Sequence, residues 1–158
     1  MYTSSVFTPA VNPGAQAYAR VGIESAVMSA SPQQLVTMLF DGAKAAISMA
    51  RHHMANGDIA AKGNAISKAV SIIDSGLKAS LDHSSGGPAE AELAANLSAL
   101  YDYINQRLMY AHLKNDPALL EEADRLLENI ASAWRELDGR TRNVEPVGSV
   151  AGHLSLRG

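Results

Sequence analysis

His52, His53, His83, His112 and His153 are the side chains of this chain best suited to bind a metal or move a proton near neutral pH. A helical-bundle core that holds two metal ions does so through inward carboxylates and Glu-x-x-His pairs on facing helices. The residues three before the five histidines are Met49, Ala50, Ser80, Met109 and Val150, none of them acidic. Cysteine is absent, which removes thiolate ligands and disulfides together. No metal site and no cofactor is expected.

Other chemistries find no better footing. A phosphotransfer histidine sits in a local pattern like His-x-Leu-Lys-Gly. The nearest stretch, Ile59-Ala60-Ala61-Lys62-Gly63, has isoleucine where that histidine belongs. His52 and His53 fall one turn before an expected helix end, where basic residues commonly meet the last carbonyls. Gly86-Gly87-Pro88 precedes a helix, but no strand leads into it and the loop has no lysine, so it does not read as a phosphate loop. No nucleophile elbow or dinucleotide fingerprint occurs. The chain is not expected to be an enzyme.

The bulk properties point the same way. The chain has 158 residues, of which 47% are hydrophobic and only 18% charged. That length supports one domain with a real core. A formal net charge of -3 gives no electrostatic case for nucleic acid. No apolar run approaches the ~20 residues needed to cross a bilayer, and the stretch before Ala17 has neither the basic nor the apolar region of a signal peptide. A cytoplasmic protein without membrane insertion is expected.

Four periodic segments would have to position whatever the chain does. The first begins at Ser31, an N-cap, with Pro32 at N1 and Gln34 completing a capping box. It runs to about Met54 and stops at Asn56-Gly57, where glycine suits the left-handed C′ position. The second follows the N-cap candidate Asp58 and carries Ile66, Val70, Ile73, Leu77 and Leu81. SSGGP, residues 84–88, is a break. The third has Leu93, Leu97, Leu100, Ile104, Leu108 and Ala111 on one stripe. Asn115-Asp116-Pro117 ends it and caps the fourth, which carries Leu120, Ala123, Leu127, Ile130, Trp134 and Leu137 and ends before Gly139. Short connections make consecutive helices antiparallel. The fold class is therefore all-α, an antiparallel up-down four-helix bundle with a short N-terminal segment packed on it. Residues 1–17 read as a flexible arm, 18–138 as the bundle domain and 139–158 as a disordered tail.

The first helix carries more apolar surface than such a bundle needs. With Leu35 at zero on a helical wheel, its apolar residues span roughly 200°, against the ~100° of an ordinary surface helix. Met38 and Met49 lie on one side of the Leu35–Leu39 stripe, with Ile47, Met54 and Phe40 on the other. Opposite the stripe of the second helix runs a smooth strip of Ala61, Ala65, Ile72, Gly76 and Ala79. On the third, Tyr103 and Tyr110 flank the stripe on one side, Met109 and Leu113 on the other. Each residue has an ordinary explanation alone, since alanine is a good helix former and tyrosines sit at core edges. Together, three helices with apolar surface outside their stripes point to a partner groove, with methionines as its adaptable edges. Ala61, Ala65, Ile72, Gly76, Tyr103, Tyr110 and Met38 are the groove candidates. On this reading Ile72→Asp removes partner binding and leaves the fold intact.

The order of short motifs adds a resemblance. Tyr18 leads to Ser31-Pro32-x-x-Leu35 and Met38-Leu39-Phe40-Asp41-Gly42. Leu81-Asp82 and Gly86-Gly87 follow, then Leu97-x-x-Leu100-Tyr101-Asp102-Tyr103, with Trp134 near the end. Over residues 18 to about 137 this resembles the FliS family of flagellar secretion chaperones, with Phe40 where the family more often has tyrosine. The resemblance implies an antiparallel four-helix bundle that binds the disordered C-terminal segment of flagellin in hydrophobic grooves. That binding would prevent premature polymerisation and keep the subunit ready for flagellar type III secretion, the export apparatus being engaged indirectly. It also implies that the segment before the first helix covers part of the site, a role that falls here to Tyr18, Val21 and Ile23. A monomer or weak homodimer is expected. A phosphotransfer-like signalling bundle and a structural homo-oligomer are the alternatives.

Overall fold

Ser31 and Gln34 open the first long helix by reciprocal bonds. The Ser31 N–H donates to Gln34 Oε1 at 2.8 Å and the Gln34 N–H to Ser31 Oγ at 3.1 Å, so the expected capping box forms. The computed structural model describes residues 22–81 and 86–157, with side chains through Arg140. Helix α1 covers residues 22–29, α2 Pro32–Ala55, α3 Ile59–Ser71, α4 Pro88–Lys114 and α5 Pro117–Arg157. There is no strand among the described residues. The chain divides into two compact units, Met1–Leu35 and Val36–Gly158. α2 runs through the boundary, and the four-helix arrangement belongs to the second unit.

Turn chemistry sets where the helices stop. Gly57 takes φ +72° after α2, the left-handed position anticipated for it. Asp58 Oδ1 then accepts the Ala61 N–H at 3.1 Å and caps α3. Asn115, at φ 52°, ends α4 in the left-handed region, and Asp116 Oδ1 accepts the Ala118 N–H at 2.9 Å to start α5. Glu90 reaches back to the Gly87 N–H at 2.9 Å, holding the start of α4 behind Pro88.

Contacts across four helix pairs give the topology. Ile72 and Gly76, on the continuation of α3 past Ser71, lie against Gly42 and Leu39 in opposite order along the sequence, so α3 is antiparallel to α2. Lys62 bonds to His112 and Asn115, and Lys78 to Asp102, which makes it antiparallel to α4 as well. Tyr103 and Arg107 reach Glu122 across the α4–α5 turn. Lys44 meets Asp124 while Thr37 meets Trp134, closing α5 against α2. The result is an up-down-up-down ring of four helices. Its centre is aliphatic: Ile47, Ile66, Ile73, Leu108 and Leu127 are all fully buried, each worth roughly 1.5–3 kcal/mol of burial.

Two features differ from the pattern in the sequence. The second helix continues beyond Ser71 as a π-helix over Ile72–Lys78, a wide turn that no residue type announces. The α5 backbone is helical past Gly139, where the pattern predicts a tail. No apolar stripe runs through residues 139–157, so the sequence does not mark this extension.

Candidate functional site

The buried face of α2 resolves most of its apolar excess. Phe40, Ile47 and Met54 are buried together with Ala43, Ala46 and Ala50, an arc of roughly 120° on the helical wheel. The strip on the second helix is likewise occupied. A Cβ on Gly76 would stand 2.7 Å from Leu39 Cδ2, and one on Gly42 would stand 3.5 Å from Ile72 Cδ1. Small residues here let α2 come close. Ala65 packs on the core and Ala61 is half-buried. Met38 is half-buried on α2.

Tyr103 and Tyr110 lie elsewhere. Tyr103 Oη donates to Glu122 of α5 at 2.7 Å, and the Arg107 guanidinium sits 5.5 Å above its ring while donating to the same carboxylate. The bond to Glu122 raises the Tyr103 phenol above its ordinary pKa; the Tyr103 and Arg107 donors hold Glu122 below the usual carboxylate range. Lys114 lies 5.6 Å from the Tyr110 ring. Ile72 and Gly76 thus sit in the α2–α3 seam and Tyr103 on the α5 side of α4, so these candidates do not share one surface. Of the cover segment, Tyr18 and Val21 fall outside the described residues. Ile23 lies on α1 and is 63% exposed.

A concave apolar site is built at the end of the bundle where α2 enters and α5 passes. It encloses about 380 Å³. Phe40 comes from α2, Leu97 and Tyr101 from α4, and Ile130 and Trp134 from α5, with Leu81 beyond the π-turn. Leu93 and Leu137 stand at its edge, 57% and 56% exposed. The Trp134 indole N–H donates to Thr37 Oγ1 at 3.2 Å, which fixes the ring. Burial pushes the Tyr101 phenol up to about 12, so it stays neutral. Ser80 and Glu90 are the plainly polar residues in the lining. Such a surface suits apolar binding and offers little for bond-making.

The wall from α5 is held in place by charge. Lys44 pairs with Asp124 at 2.9 Å and with Glu128 at 3.3 Å, while Glu128 also accepts from Ser132 and Arg135. Those donors, Ser132 first, hold the Glu128 carboxyl at about 2. All are partly solvated, so each pair is a positioning contact worth little alone.

At the opposite end a second cavity, about 520 Å³, lies between the α2–α3 and α4–α5 turns. Met54, Ile59 and Leu113 give it apolar walls, and Lys62 lines it although only 3% of that residue is exposed. Lys62 Nζ donates to the His112 carbonyl at 3.2 Å and to Asn115 Oδ1 at 2.8 Å. His112 packs on Gly63, where a Cβ would come within 3.1 Å of its Cε1.

A family model described as "Flagellar protein FliS" matches residues 14–141. The chain belongs to the FliS family. It is 53% identical over 137 residues to the flagellar secretion chaperone FliS of Salmonella typhimurium, covering 87% of this chain and 93% of that one. Against the Escherichia coli protein of the same description it is 51% identical over 123 residues, covering 78% and 88%. The Bacillus subtilis FliS is 31% identical over 113 residues, covering 72% of this chain and 80% of that one. The residues that carried the resemblance are brought together by the fold: Phe40, Leu97, Tyr101 and Trp134 of the FliS-like motifs all line the apolar cavity.

The helical periodicity of the sequence places Leu93 and Leu137 on the core stripes, and the structure moves both to the cavity edge. On α4 the buried positions near this end are Ala94 and Tyr101 instead. The available signal was their place at the outer end of each stripe, where partner helices run out. Lys62 carried no such signal beyond its spacing of four before Ile66.

Proposed function

We propose that this protein is a cytoplasmic export chaperone for flagellin and that it acts by binding, without catalysis. Its client is the C-terminal segment of flagellin, disordered when free, which lays apolar side chains into the cavity walled by Phe40, Tyr101 and Trp134 and over Leu93 and Leu137 at its edge. The observation that carries this is the cavity itself: an aromatic-lined hollow with Leu93 and Leu137 more than half exposed at its edge, an apolar surface that suits a client segment. The relatives' description as flagellar secretion chaperones supports the export-chaperone reading. Coverage of the segment prevents premature polymerisation and holds the subunit ready for export.

The test is a calorimetric titration with a synthetic peptide covering the C-terminal segment of the same cell's flagellin. Saturable one-to-one binding, with the peptide gaining helix by circular dichroism, is the expected result. No binding to the folded protein sinks the reading.

A further inference from the structure

We propose that the cavity beside Lys62 captures the free C-terminal carboxylate of the bound client; the inference rests on the client assigned above. Lys62 is buried, and its two acceptors, the His112 carbonyl and Asn115 Oδ1, are both neutral. The ammonium has three donor hydrogens, so one has no acceptor among the described residues. The negative end of α4 offsets about half a unit of charge at this position. The remainder faces a cavity of about 520 Å³. Asp58 lines the same cavity and keeps its charge; its Oδ1 accepts the Ala61 N–H at the start of α3, and no ion pair joins it to Lys62 among the described residues. A buried cation with one donor hydrogen unused and no ion-pair partner among the described residues fits a carboxylate.

The surroundings select a chain terminus. Leu113 is 74% exposed and Ile59 also stands out of the fold, with Met54 behind them. These give apolar walls for one terminal side chain. Gly57 and Asn115 mark the cavity as the end of the α3–α4 seam, where both inter-helix turns lie. Met109, exposed one turn before Leu113 on α4, continues the apolar edge along that seam. A peptide lying along it runs out of bundle here, so its last residue, with apolar side chain and carboxylate together, is what the cavity receives.

The experiment compares the client peptide as free acid and as C-terminal carboxamide on the unmodified full chain. The carboxamide is expected to bind roughly tenfold or more weakly, the loss of a charge-assisted hydrogen bond, while gaining the same helix. Lys62→Met is expected to bind both forms equally; should that variant misfold, the comparison on the unmodified protein decides alone. Equal affinity of acid and carboxamide overturns this inference and leaves the export-chaperone reading standing. Failure of both forms to bind removes the client and overturns the two together.

Discussion

Gly76 and the methyl groups of Leu39 meet in the α2–α3 seam: a single added carbon on Gly76 would stand 2.7 Å from Leu39 Cδ2 and 3.3 Å from its Cδ1. Gly76→Ala therefore forces Leu39 to move, at roughly 1–3 kcal/mol. Alanine's helix preference over glycine returns up to ~1 kcal/mol, so a net loss of about 1 kcal/mol is expected in urea denaturation. Paired with Leu39→Ala the two losses should sum to less than their separate values, because the clash is gone. A more stable Gly76→Ala protein would contradict the seam.

Ile72 and Leu93 should behave oppositely. Ile72 packs on the core beside Gly42, so Ile72→Asp buries a charge and costs roughly 2–4 kcal/mol, seen as a lowered melting temperature. This reverses the expectation drawn from the sequence alone. Leu93→Asp and Leu137→Asp change residues that are already more than half exposed. Each should leave melting within a few degrees and weaken client binding about tenfold. Melting curves and titrations of the three variants distinguish core from site.

The contrast shows what the sequence could convey. Helix starts at Ser31, Asp58 and Asp116 were legible because a side-chain oxygen three or fewer residues from an orphan N–H has one obvious use. The direction and order of the helices followed from short turns. The rotation of each helix did not. Ile72 and Gly76 are apolar or small on the face away from the Ile66–Leu77 stripe, and only the close approach of α2 decides that this face is a seam. Phe40 and Tyr101 were recognised as motif residues, but their convergence with Trp134 depends on contacts across three helices. The π-turn adds a local rotation that helical wheels do not contain.

Acid should loosen the α2–α5 seam. The Glu128 carboxyl is held at about 2, well below its ordinary value near 4.5, through its bonds to Ser132, Arg135 and Lys44. A group with a depressed folded pKa contributes stability above its unfolded value, and that contribution is lost as pH falls from about 4.5 toward 2. Stability measured across this window should decline less steeply in Glu128→Gln than in the unmodified protein. Identical slopes would mean that the Lys44 and Arg135 contacts do not persist in solution.

Client binding should carry an apolar signature. Burying the client against Leu93, Leu137 and the aromatic walls predicts a negative heat-capacity change and little sensitivity to moderate salt. Trp134, the chain's one tryptophan, lines the cavity, so its emission should shift to shorter wavelength as water leaves. Binding that collapses in salt without a heat-capacity change would point to charge instead.

The ring of helices closes through its most distant pairing. Three of its four seams join helices that follow one another in the chain. The fourth joins residues 80 apart at Lys44–Asp124 and 97 apart at Thr37–Trp134, the long-range contacts that cost most loop entropy and form slowly. Ile130, Trp134 and Leu137 of α5 supply a whole wall of the apolar cavity. A nascent chain that has not yet been synthesised through Leu137 therefore has no such cavity, however well α2, α3 and α4 have paired. The capacity to hold a client thus depends on the α2–α5 pairing, and opening of that one seam is enough to suspend it.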